Sequence, residues 1–150
     1  MSEQIQHLMR EIGPLVDAID AIEQVGEQNW AIGFDEATWL TVDYNEQTDK
    51  LTLAIDCGPS PEQNRIKLYE TLLTYNYLWE ETGGLRMALD EPGGRVVLIF
   101  DVAVHGLDSA TFATVVENMV TKSRLWQQSI QGVGSESDPP SSETPMGIRV

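Results

Sequence analysis

One stretch limits the possible folds more than any other. From Arg95 to Val102 the chain is apolar almost without interruption. As a strand it sets Val96, Leu98 and Phe100 on one face and Val97 and Ile99 on the other. A strand apolar on both faces needs cover on both. The chain has 150 residues, enough for one ordinary domain. Part of that cover therefore falls to a few helices or to a second subunit. Glu91-Pro92-Gly93-Gly94 reads as a turn. Ahead of it, Leu85, Met87 and Leu89 alternate with Arg86 and Ala88, which makes the neighbouring strand.

The second helix raises the same demand. Ser60-Pro61-Glu62-Gln63 has the form of a capping box, with Ser at the cap, Pro at the first helical position and Gln two further on. After it, Ile66, Tyr69 and Leu73 form one apolar row and Leu68, Leu72 and Tyr75 another. A helix apolar over so wide an arc is buried on two sides, and in a small domain the second side often belongs to another subunit.

Around these lie simpler patterns. Ile5, Leu8, Met9, Ile12, Leu15, Val16, Ile19 and Ile22 recur at helical spacing, so a helix is expected up to Gly26. Gly13-Pro14 should kink it or divide it in two. Three strand-like runs follow: Trp30 to Phe34, Thr38 to Tyr44, and Leu51 to Cys57. A last helix begins near Asp108 or Ser109 and carries Phe112, Val115, Val116, Met119, Val120, Ser123 and Trp126. The order is α-βββ-α-ββ-α, an α+β fold with helices packed on a twisted antiparallel sheet. The globular domain is expected over residues 1–131. From Gly132 the composition turns to Gly, Ser, Pro and acid, so 132–150 is expected to be a disordered tail.

Composition narrows the function. With 24 acidic and 9 scattered basic residues, the formal charge is −15. Such a surface repels phosphate backbones and anionic membranes, which excludes nucleic acid as the natural partner. Cys57 is the single cysteine, which suits a reducing cytoplasm. No basic region followed by an apolar run opens the chain, so no signal peptide is expected. No stretch has the ~18 consecutive apolar residues of a membrane span.

Catalytic and metal patterns are missing. His7 and His105 lie on different elements without a neighbouring Cys, and Cys57 has no CxxC partner. Neither GxxxxGK[ST], GxGxxG nor GxSxG occurs. Glu80-Glu81 reads as ordinary solvated charge. No catalytic residue, metal ligand or cofactor is assigned, and the chain reads as a binding protein, not an enzyme. What remains is apolar surface. Trp30, Trp39, Trp79 and Trp126 are many for one face of a small sheet. Some belong to the core, and others are available to anchor an apolar peptide.

At this point the chain resembles the class I type III secretion chaperones, the Tir-chaperone family. Leu68-Tyr69-Glu70-Thr71-Leu72-Leu73-Thr74-Tyr75-Asn76-Tyr77-Leu78-Trp79 looks like that family's second helix, with its leucine pair, Asn and aromatic. Gly83-Gly84-Leu85, the glycine turn, Val96 to Phe100, and the last helix with Phe112, Glu117 and Trp126 continue the likeness. Phe34-Asp35 and Ala54-Ile55-Asp56-Cys57-Gly58 resemble the ends of its first and third strands. The likeness spans about residues 2–130.

The resemblance implies a cytoplasmic bacterial homodimer joined through the second helix and the fifth strand. It implies binding of the N-terminal chaperone-binding segment of a secreted effector, in extended form and adding β-structure at sheet edges. It admits the secretion ATPase as a further partner. On this reading Leu68, Leu72, Tyr75, Val96, Leu98 and Phe100 serve dimerisation. Leu8, Ile12, Trp30, Ile32, Phe34, Trp39 and Leu40 serve effector binding. The alternative is a regulator of the same fold that sequesters a secretion or transcription regulator.

Overall fold

The computed structural model describes residues 2–135. Its elements are α1 (Ser2–Leu15), β1 (Ala21–Gly26), β2 (Asn29–Asp35), β3 (Thr38–Asn45), β4 (Lys50–Pro59), α2 (Arg65–Tyr77), the single turn α3 (Trp79–Thr82), β5 (Arg86–Leu89), β6 (Arg95–Ala103) and α4 (Ser109–Ser135). The six strands form one sheet in the order β1-β2-β3-β4-β6-β5. The pairs β1–β2, β2–β3, β3–β4 and β5–β6 are antiparallel. This is the expected α+β class, with one strand more.

The extra strand comes from the segment read as the end of the first helix. Pro14 sits in the last turn of α1 and has no N–H to give the carbonyl four residues back. Val16 still donates to the Ile12 carbonyl at 3.0 Å, and the chain then turns away. Gly13-Pro14 therefore ends the helix instead of kinking it. Ile22 matches the helical period only by coincidence, and it pairs across strands with Ile32.

The second helix also starts later than its capping box predicts. Ser60 is not a cap: both its N–H and its hydroxyl donate to the Gly94 carbonyl, at 3.1 and 2.7 Å. Arg65 caps the preceding turn instead, donating to the Pro61 and Ser60 carbonyls. α2 begins after Asn64, which holds a left-handed φ of 60°. Asn tolerates that conformation better than most residues. At the other end, Gly83 at φ 73° closes α3.

Two compact units divide the chain. The first contains residues up to 55 together with 101–120. Its core includes Ile5, Leu8, Met9 and Ile12 of α1, at i, i+3, i+4 and i+7, with Ile32, Leu40, Val42, Leu51, Leu53, Phe112 and Val116. α4 starts here, where the Asp108 carboxylate accepts the Thr111 N–H at 2.7 Å. That bond holds the Asp108 carboxyl below its usual pKa. The second unit contains residues 56–100 and those from 121 onward. It buries Cys57, Leu68, Leu72, Tyr75, Met87, Val96, Leu98 and Trp126. The Tyr75 and Trp126 rings meet edge to face, 5.2 Å apart at 86°. α4 runs to Ser135, past the expected domain end at residue 131. The remainder of the expected tail lies outside the described residues.

Candidate interaction surfaces

In the second unit α2 turns one apolar row inward and most of the other outward, Tyr69 of the outer row being half-buried. Leu68, Leu72 and Tyr75 face inward and are at most 5% exposed. Ile66, Leu73 and Tyr77, at i, i+7 and i+11, lie on the opposite side and are 77%, 70% and 82% exposed. Trp79 follows them at 61%. Four large apolar side chains on one short helical segment make an uncovered apolar stripe. On β6, Val96 and Leu98 are fully buried, while Val97, Ile99 and Phe100 are half-buried. Of the residues expected at a dimer interface, Leu68, Leu72, Tyr75, Val96 and Leu98 thus lie inside the chain's own core. Phe100 alone keeps partial exposure. The outer row of α2 is visible in the sequence as Ile66, Tyr69 and Leu73, but periodicity alone gives no sign of which row faces out.

The same unit closes one edge of the sheet. β5 is terminal in the strand order. The Asn76 side chain donates to the Met87 carbonyl at 2.9 Å and accepts the Met87 N–H at 2.7 Å. Met87 stands opposite Leu98, and its two backbone groups point away from β6 to the side-chain amide. An amide that satisfies both groups does what a further strand would do there, so this edge is blunted.

The first unit holds the other edge, β1. Its residues Glu23, Gln24 and Val25 are exposed, with Val25 at 63%. Beside it lies a cavity of about 390 Å³ lined by Gln6, Met9, Arg10, Ile22, Gln24 and Trp30. α1 supplies one wall, and β1 and β2 supply the floor. Of the residues expected to bind a partner, Trp30 lines this cavity. Leu8, Ile12, Ile32, Phe34 and Leu40 are buried in the core of the same unit. Trp39 is 38% exposed and lies flat across its pair partner Gly33, where any side chain would collide with the indole. Met9, Ile22 and Val25 complete the cavity and edge. Ile22 and Val25 escape a reading of the sequence that carries the first helix on to Gly26, and Met9 shows there only as one more apolar position of that helix.

Groups with reactive chemistry are few. Burial, aided by the adjacent Asp56 charge, pushes the Cys57 thiol up to about 12. A thiol held neutral is a poor nucleophile. Glu11 accepts the Ser109 hydroxyl and pairs with His7 Nε2 at 3.1 Å, at the surface. The carboxylate stands between Ser and His, so the imidazole is not placed to take the serine proton. Among the described residues no cluster of three or more His, Cys, Asp or Glu side chains could hold a metal ion. None of their helices is long and apolar enough to cross a membrane.

Comparison with known proteins agrees with this geometry. A chain of the ExsC–ExsE complex superposes with a TM-score of 0.69 at 18% identity, covering 85% of this chain and 94% of that one. A chain of the HopA1–SchA chaperone–effector complex gives 0.66 at 15%, covering 85% and 95%. The Yersinia pestis type III secretion chaperone SycH, solved with a stable fragment of YscM2, gives 0.59 at 19%, covering 81% and 95%. At these identities the likeness establishes a shared fold. No curated protein matches the chain. The model of the Tir chaperone protein (CesT) family matches residues 7–127, most of the length, and the chain belongs to that family.

Proposed function

We propose that this chain is a type III secretion chaperone that holds the N-terminal chaperone-binding segment of a secreted effector in extended form. The observation that carries this reading is the pairing of an open strand edge with a cavity that three apolar residues, Met9, Ile22 and Trp30, line in part. β1 offers unpaired backbone groups, and the cavity lined by Met9, Ile22 and Trp30 takes alternate side chains of an added strand. Leu8, Ile12, Ile32, Phe34 and Leu40 form the packed floor that keeps this groove in shape, and Trp39 offers an exposed ring on the opposite face of the sheet. Binding covers apolar side chains of the effector that would otherwise associate, and it leaves the segment unfolded for export. The work is done by equilibrium binding, without catalysis or cofactor, in the bacterial cytoplasm.

The chain acts as a homodimer in this reading. The exposed stripe Ile66, Leu73, Tyr77 and Trp79, with the half-buried Val97, Ile99 and Phe100, supplies the contact. Leu68, Leu72, Tyr75, Val96 and Leu98 support it from beneath. Hand-over to the secretion ATPase would follow binding.

The test is deletion of the gene in its native host, with quantification of exported and retained proteins. The expected result is a selective fall in export of one or a few proteins, restored by the intact gene. An unchanged set of exported proteins would refute the chaperone reading. If transcripts of secretion genes changed instead, the chain would be a regulator of the same fold.

A further inference from the structure

The charge around the open edge is unusually one-sided. Between Arg10 and Lys50 the sequence contains no Lys, Arg or His, but it contains ten carboxylates. These are Glu11, Asp17, Asp20, Glu23, Glu27, Asp35, Glu36, Asp43, Glu46 and Asp49, and every one is exposed. This segment runs from the end of α1 through the edge strand β1 to β2, β3 and their turns, and four of the ten, Asp17, Asp20, Glu23 and Glu27, lie on or beside β1 itself. Along β1 the acids lie at both ends and in the middle. Asp17 and Asp20 precede the strand, Glu23 lies within it, and Glu27 is in the turn that follows. The cavity side is different. Its single charged lining residue is Arg10 of α1.

A strand has two faces, and an added strand shares them with its neighbour. Ile22 and Gln24 point to the cavity side, so Ala21 and Glu23 point to the other. The two sides of an added segment therefore meet opposite conditions. One side meets Met9, Ile22 and Trp30 with a cation beside them. The other meets Glu23 and the flanking carboxylates.

We propose that the segment bound at β1 is basic on one face only: apolar residues alternate with Lys or Arg, the apolar ones entering the cavity and the bases lying over the outer face. This rests on the β1 groove being the binding site. It adds the chemistry of the occupant, and with it a dependence on ionic strength. Net charge and local charge act together here, since a chain at −15 attracts a cationic segment from a distance.

The test uses three short synthetic peptides of one length, each labelled with a fluorophore. Val and Leu alternate with Lys in the first, with Gln in the second and with Glu in the third. Anisotropy titrations against the full chain are run from about 0.05 to about 0.5 M salt, a range that shortens the screening length severalfold. The Lys peptide should bind roughly tenfold or more tighter than the Gln peptide at low salt, from several exposed charge pairs acting together. That gap should close at high salt, and the Glu peptide should bind weakest. Equal affinity for the Lys and Gln peptides at both salts would overturn the proposal while leaving the groove in place. Binding of none of the three would overturn the groove itself. The surface variant Glu23→Lys with Glu27→Lys, checked for an unchanged fold by circular dichroism, should cut the Lys preference severalfold, the remaining carboxylates and net charge keeping part of it. An undiminished preference would overturn the proposal.

Discussion

Leu72 and Leu73 are neighbours in sequence and opposites in space, at 5% and 70% exposed. Replacing each with Asp separates folding from association. At Leu72 the substitution removes a buried leucine, which costs about 2–5 kcal/mol. It also places a carboxyl in an apolar site, which adds several kcal/mol more. The sum is comparable to the whole stability of an ordinary domain, about 5–15 kcal/mol. Leu72→Asp should therefore unfold the chain or leave it barely folded. At Leu73 most of the side chain is already in water, so the isolated chain should lose under about 1 kcal/mol. In a two-fold dimer the same residue counts twice. Fully burying a leucine contributes roughly 1.5–3 kcal/mol, so two copies contribute about 3–6 kcal/mol, or two to four orders of magnitude in dissociation constant. Leu73→Asp should give a folded monomer. Urea unfolding followed by circular dichroism reads the first effect, and light scattering at micromolar concentration reads the second. A Leu73→Asp protein that remained fully dimeric would refute the assignment of the α2 stripe to the interface. A Leu72→Asp protein with an unchanged unfolding midpoint would refute the placement of its core.

Other expectations follow from single side chains. Cys57 should react with a thiol reagent at pH 8 only as fast as the chain opens, so labelling in urea should track unfolding, whereas rapid labelling of the native chain would contradict its burial. Cys57 and Tyr75 are both pushed up by burial to about 12, from ordinary values of 9.0 and 10.0. Each is held neutral in the folded chain, so the stability they contribute is complete below about pH 9. It should fall as pH rises from 9 towards 12, where the unfolded chain ionises first. A urea midpoint unchanged across that range would contradict this. The Tyr75 hydroxyl is buried beside the Trp126 indole, and neither polar atom makes a hydrogen bond of good geometry, so Tyr75→Phe should change stability by no more than about 1 kcal/mol in urea melts, and a larger loss would show that the pair is bonded. Asn76→Ala should cost about 1–3 kcal/mol in urea melts, because it leaves both backbone groups of the buried Met87 without their partner on the terminal strand.

Much of this architecture was legible because strands with one buried face alternate visibly. Thr38 to Asn45 follows a strict buried–exposed alternation, and so reads correctly from the residues alone. Misreadings arose where a local signal was outcompeted by a distant partner. Ser60 has the neighbours of a helix cap, but the Gly94 carbonyl, 34 positions away, takes its hydroxyl. Ile19 and Ile22 continue a helical period that Pro14 has already ended, and β1, which contains Ile22, is hidden by it. That strand is the open edge, so the part of the candidate site most relevant to binding was the hardest to see. For α2 the sequence showed two apolar rows without a direction. Choosing Leu68, Leu72 and Tyr75 for contact selected the row that packs inward.

If β1 receives an extended segment of an exported protein, a photo-crosslinking residue placed at Val25 in the native host will join to that segment, and sequencing the joined peptides will identify it. Val25 is 63% exposed on the open strand, so the substitution should leave the core intact. Crosslinks are expected to the N-terminal region of a secreted protein, centred on a run of alternating apolar residues. Crosslinks confined to folded, non-exported proteins, or none under conditions where the partner is being exported, would contradict it.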